Sequence, residues 1–224
     1  MSQAAVVVAT DDNYVAYVSP TTVQSNLDTM LVKGPIATSG GWRKSWIKFD
    51  LSGQNADLSG GATLSLALSV ASATTFTVTI YALNAGFVPS SGILGTNWSE
   101  TAITWNNAPG NDLADGTAMN TSQTTSLGSF TVASTTAAGT VFTQSFSLLS
   151  SFVQSDQTVT LMIGVTQVSN TPNLNLASSE NTTYSKPQLQ FSVIPEPRSG
   201  ALVLIGLLGG LALHVRRNGR LLPG

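Results

Sequence analysis

The sequence predicts an all-β protein, an antiparallel sandwich or jelly roll, followed by one separate apolar C-terminal helix. Three observations carry this. Short segments alternate between apolar and polar residues with a period of two, the spacing at which strand side chains share a face. Joins carrying glycine and asparagine separate those segments. Only 9 % of the residues are charged while 42 % are hydrophobic, so serine, threonine and asparagine must solvate the surface of a real core. At 224 residues, the chain suits one β domain and a short appendix.

The alternating segments are residues 14–18, 45–50, 62–70, 76–83, 128–132, 140–144, 159–165 and 189–193. Each would turn its apolar set toward one interior and its Ser and Thr outward. A short helix is expected at 148–153, where Leu148, Phe152 and Val153 recur at helical spacing. Trp46 or Phe49, Leu66, Ile80, Val141, Ile163 and Phe191 are the expected core, with the first and last strands side by side. The domain is expected to cover 1–194, leaving 195–224 as a tail.

Composition excludes several chemistries. With no cysteine there is no disulfide, thiolate metal site or cysteine nucleophile, and the single histidine, His214, lies in the tail. No Ser–His–Asp triad is available to the body. Without the tail, five basic residues face ten acidic ones, which argues against nucleic acid as a partner. An enzyme would have to use carboxylates alone, and Glu100 and Glu180 show no pairing in sequence. A non-catalytic protein is therefore expected, with a carboxylate-based polysaccharide-degrading enzyme as a minor alternative.

The tail has three parts in order. Pro195-Glu196-Pro197 interrupts any strand or helix, residues 201–213 are almost wholly apolar, and Arg216, Arg217 and Arg220 follow. As a helix, 199–215 would span about 25 Å against a bilayer core of roughly 30 Å. Basic residues after the span place the C-terminus in the cytoplasm and the body outside. The order resembles the PEP-CTERM sorting signal, with Pro195, Glu196 and Pro197 as its motif and Arg216 and Arg217 as its basic end. That resemblance implies an exosortase-type sorting enzyme as partner, membrane attachment through the helix, and export by way of the inner membrane to the cell surface or an exopolysaccharide matrix. The first ten residues lack a basic region and a long apolar run, so an export signal upstream of Met1 is expected.

The body carries its own motifs. Asp12-Asn-Tyr-Val15, Arg43-Lys-Ser-Trp-Ile-Lys-Phe-Asp-Leu51, Trp98-Ser-Glu-Thr-Ala-Ile-Thr-Trp-Asn-Asn-Ala-Pro109 and Ser179-Glu180 with Lys186-Pro-Gln-Leu189 occur in that order. Together with the Asn-containing stretch 25–33, they resemble the DNRLRE domain, also described as carbohydrate-binding module family 96. The resemblance implies a jelly-roll β-sandwich on a bacterial surface protein. In some relatives it also implies acidic polysaccharide as ligand and a structural calcium ion.

Trp98 and Trp105 can stack on sugar rings, and Glu100, Asn106 and Asn107 can bond hydroxyls. The competing reading packs both tryptophans into the core. Trp42 follows a glycine pair, and Lys44 and Lys48 would share a sheet face where they could meet a uronic acid or simply be solvated. Asp11, Asp12, Asp28 and Glu180 are the oxygen donors for the calcium that the resemblance implies. Two functions remain, a carbohydrate-binding module and a passive structural surface protein. Exposure of Trp42 and Trp98 discriminates between them.

Overall fold

The computed structural model describes residues 3–24, 28–34, 41–167 and 173–194. The Pro195–Pro197 motif, the apolar helix and Arg216 and Arg217 lie outside the described residues. Among the described residues, no helix is long and apolar enough to cross a membrane.

The strands are β1 (Gln3–Val8), β2 (Asp11–Ala16), β3 (Thr29–Val32), β4 (Arg43–Asp50), β5 (Ala62–Ala67), β6 (Phe76–Leu83), β7 (Thr124–Val132), β8 (Val141–Phe146), β9 (Thr158–Gln167), β10 (Leu174–Ala177) and β11 (Gln188–Val193). They form a four-stranded sheet, β1-β11-β5-β8, and a five-stranded sheet, β2-β4-β9-β6-β7. A two-stranded sheet, β10-β3, joins them. It meets β4 through a Lys33–Arg43 bridge and the end of β5 through a Leu68–Leu176 bridge. Every pairing is antiparallel. The first and last strands are neighbours, with Gln3 opposite Val193 and Val8 opposite Gln188. The architecture is a two-sheet antiparallel β-sandwich.

Alternation explains the core. Leu64, Leu66, Leu189 and Phe191 of the four-stranded sheet face Ile47, Phe49, Val78, Ile80, Leu161 and Ile163 of the five-stranded sheet. Met30, Val32, Leu174 and Leu176 join them from β3 and β10. Burying each such side chain contributes about 1.5–3 kcal/mol. Val141 departs from expectation and is exposed. Strand β8 turns Phe142 and Phe146 inward instead, with Phe142 stacked on Phe130 at 5.0 Å. A period of two cannot bury Val141 alongside its neighbour. The expected helix at 148–153 is a single 3-10 turn, Leu149–Ser151, anchored by buried Leu149.

The five-stranded sheet is covered on both sides. Residues 84–123, between β6 and β7, cross its outer face. There Trp98, Ile103, Trp105, Ala108 and Met119 pack on Val15, Trp46, Leu83 and Met162 as a second core. Trp46 and Phe49 are both buried but on opposite faces of β4, one in each core. The connection lies so close to β9 that a Cβ on Gly164 would stand 2.0 Å from the Thr117 carbonyl oxygen. Glycine in mid-strand is required by this approach.

Candidate functional site

Lys44 and Lys48 share the outer face of β4, as their spacing predicts, but that face is the covered one. Lys44 has no exposed surface. Its ammonium donates to Asn111 Oδ1 at 2.9 Å, to the Asp112 carbonyl at 3.0 Å and to the Ala118 carbonyl at 2.6 Å. It also lies 4.8 Å from the centre of the Trp105 ring. Burial pushes its pKa down to about 7, against the pull of Asp115 and Asp112. Three acceptors for three N–H groups match the charged form. Lys48 pairs with Asp11 at 2.8 Å and donates to Asn97 Oδ1 at 3.1 Å and to the Trp98 carbonyl.

The tryptophans complete the same latch. Trp98 is 2 % exposed, and its indole N–H donates to Thr160 Oγ1 at 3.0 Å. Trp46 donates to the Pro109 carbonyl at 2.9 Å. Asn107 closes its own turn, accepting from the Thr104 N–H at 2.6 Å and donating to the Ala102 carbonyl at 3.0 Å. The motif 98–109 and the motif 43–51 are therefore two halves of one buried contact. Trp98, Lys44 and Lys48 offer a sugar no surface.

A second group of residues surrounds Asp12. One of its carboxylate oxygens accepts the Ser179 N–H at 2.6 Å, and the other is buried with no partner. Burial, with Glu180 and Glu100 nearby, pushes its pKa up to about 7, although the Ser179 bond opposes this. Glu100 is also raised, by burial first and Glu180 next. One oxygen each of Glu100 and Glu180 is buried and unpartnered. Of the four expected calcium donors, Asp12 and Glu180 come close to each other around Ser179, whereas Asp11 and Asp28 are engaged elsewhere. Asp28 is exposed and meets this region through its backbone carbonyl, which accepts Asn181 Nδ2 at 2.8 Å. Asp11 is held by Lys48. Among the described residues, no three acidic or imidazole side chains stand close enough to hold an ion. Three buried carboxylate oxygens, one each from Asp12, Glu100 and Glu180, are thus left without a hydrogen-bond partner in one region.

The surface that remains open is aromatic. Tyr17, one residue beyond β2, is 38 % exposed. Its ring lies 4.9 Å from that of half-buried Trp42 and edge-on to Trp105 at 5.5 Å. Asn106, the residue after Trp105, is exposed, and its backbone N–H is bonded to the Pro20 carbonyl at 3.0 Å. The structure thus brings Trp42 and Trp105 together, and adds Tyr17. Sequence reading passed over Tyr17 because it continues the alternation of residues 14–18. On the other side of β4, half-buried Lys33 and Arg43 are a directly opposed pair, with N–H to carbonyl distances of 2.9 and 3.0 Å. Arg43 also donates to Asn173 Oδ1 at 3.0 Å.

Comparison with known proteins gives one extensive match. The profile of carbohydrate-binding module family 96 matches residues 3–193. No curated protein matches. Among solved structures, a chain from the structure of infectious bursal disease virus Gt strain aligns at 13 % identity with a TM-score of 0.21. That alignment covers 86 % of this chain and 38 % of the viral one, and a likeness so low carries no argument.

Proposed function

The chain belongs to carbohydrate-binding module family 96, and from that premise we propose that it is a non-catalytic polysaccharide-binding protein of the cell surface or exopolysaccharide matrix. The observation that carries the reading is the Tyr17–Trp42 ring pair, in which Tyr17 is exposed and Trp42 is half-buried against Gly116. Aromatic faces complement the C–H faces of pyranose rings. The preference for a ligand with carboxylate groups rests on the family membership, since Lys33 and Arg43 lie on the other side of β4 from the ring pair. Neither the buried Lys44 nor the buried Lys48 takes part. The tail of 195–224 supports delivery by an exosortase-type enzyme from an inner-membrane intermediate, and the sandwich supports a jelly-roll ancestry.

Affinity electrophoresis of the full chain through gels holding acidic or neutral polysaccharides tests this. Retardation in an acidic gel is expected, and Tyr17→Ala should abolish most of it while leaving the melting temperature unchanged. A second reading, a passive structural protein, draws on the burial of Trp98 and both lysines. It is preferred if no polysaccharide retards the chain.

A further inference from the structure

The two main sheets have four outer edges, and three of them are guarded against pairing with another strand. Strand β2 is covered by the chain at residues 24 and 100, where Asn13 Nδ2 donates to the Gln24 and Glu100 carbonyls at 3.0 and 2.8 Å. Strand β7 is interrupted by a bulge opposite Ile80/Tyr81, with Gly128 at φ 124. Strand β8 is tied to β7 by Gln144, whose side-chain amide donates to the Leu127 carbonyl at 2.9 Å. Strand β1 has none of these devices. Its sequence, Gln-Ala-Ala-Val-Val-Val, holds no charge and no proline, and its only strand partner among the described residues is β11. Unprotected edges of this kind are templates for further strands.

The valence of the edge follows from register. Ala9, opposite Pro187 in the continued β1–β11 ladder, donates to the Pro187 carbonyl at 3.0 Å. In an antiparallel pair, alternate residues point their backbone groups to the same side. Val7 and Ala5 therefore turn toward β11, and Ala4, Val6 and Val8 present N–H and C=O to the open side. The same three residues place their side chains on the outer face, where Val6 is 54 % and Val8 41 % exposed. No residue of β1, β11, β5 or β8 is charged, although the chain as a whole is net negative. Two copies can approach along this face without repulsion.

We infer that β1 pairs with β1 of a second copy of this chain, antiparallel and centred on Val6, merging two four-stranded sheets into one of eight. The row is self-complementary about that centre: Val6 faces Val6, and Ala4 faces Val8, in both directions. Such an isologous contact closes with two copies. The shared outer face also carries a groove of about 290 Å³, lined in part by Thr63, Ser145, Gln190 and Ser192. Pairing places two such grooves on one continuous surface.

The test needs no polysaccharide, so its failure leaves the binding proposal untouched. Sedimentation of the full chain in detergent should show a dimer that grows with concentration. Val6→Lys should abolish it at equal concentration and equal melting temperature, with the tail unchanged. Because the chain lacks cysteine, Val6→Cys adds a test of register. A hydrogen-bonded cross-strand pair lies within disulfide reach, so Val6→Cys should cross-link at least about tenfold more than the exposed-loop control Val88→Cys. A monomer at all concentrations, a dimer indifferent to Val6→Lys, or equal cross-linking at both cysteines overturns the proposal.

Discussion

Lys44 shows how far residue type alone can mislead. In sequence it is a basic residue next to a tryptophan; in the fold it is a buried strut whose three protons are spent on the connection at 111–118. Replacing it with methionine, similar in length but without donors, strands three acceptors. Lys44→Met should cost roughly 3 kcal/mol, read as a lowered urea midpoint, with polysaccharide retardation unchanged under native conditions. Titration adds a second expectation. The folded pKa of Asp12, at about 7, stands above its ordinary 3.8. The folded state therefore keeps a proton through that window which the unfolded chain has lost, and stability falls as pH rises from 3.8 toward 7. Lys44, lowered from 10.5 to about 7, works in the opposite direction above neutrality, and stability recovers as pH rises through that range. A shallow minimum near neutral pH should appear in denaturation midpoints measured against pH. Asp12→Asn should flatten its acid side only. None of this was legible in sequence, because burial depends on which loop covers a face.

At the scale of elements, period-two reading worked where one face of a strand is apolar and the other is hydroxylated. Strand β5 and the first half of β6 are of that kind. It did not find β1, because its outward residues Ala4, Val6 and Val8 are as apolar as its inward ones. Strand β10 was missed because its four residues are too few to establish a period. The connection between β6 and β7 reads as a long loop whose tryptophans are either sugar platforms or core, and it is a second layer with its own core. Trp98→Ala should therefore cost about 3–5 kcal/mol, a core penalty measurable by chemical denaturation. Gly164→Ala should loosen the same layer, since its Cβ would collide with the Thr117 carbonyl. The expected result is a lowered midpoint with heightened proteolysis between residues 111 and 118. Proteolysis unchanged from wild type would contradict the close approach.

For the whole molecule, the all-β class could be read from pattern, and the motif resemblance led to the family that the profile match supports; the strand that lies beside β11 is β1, which pattern does not reveal. The location of the contact surface could not be read either, because it is assembled from Tyr17 and Trp42, far apart in the chain and brought together by the latch. The calcium expectation also depends on assembly: among the described residues Asp12 and Glu180 meet Glu100, while Asp11 is held by Lys48. Chelation measured against the melting temperature decides the point: a clear drop assigns an ion to the Asp12, Glu100 and Glu180 oxygens, and no change leaves them without one. Removing 199–224 should release the protein from membrane fractions, and unchanged fractionation would defeat the sorting proposal. The surface itself has a built-in reporter. Of the four tryptophans, Trp46, Trp98 and Trp105 are buried, and Trp42 is partly open to solvent. The most direct measurement is tryptophan fluorescence of the full chain during titration with a polysaccharide that retards it in gels. A saturable spectral change is expected in the wild type, one that disappears in Trp42→Phe although that variant still binds. The same change persisting in Trp42→Phe would contradict it and place the ligand elsewhere.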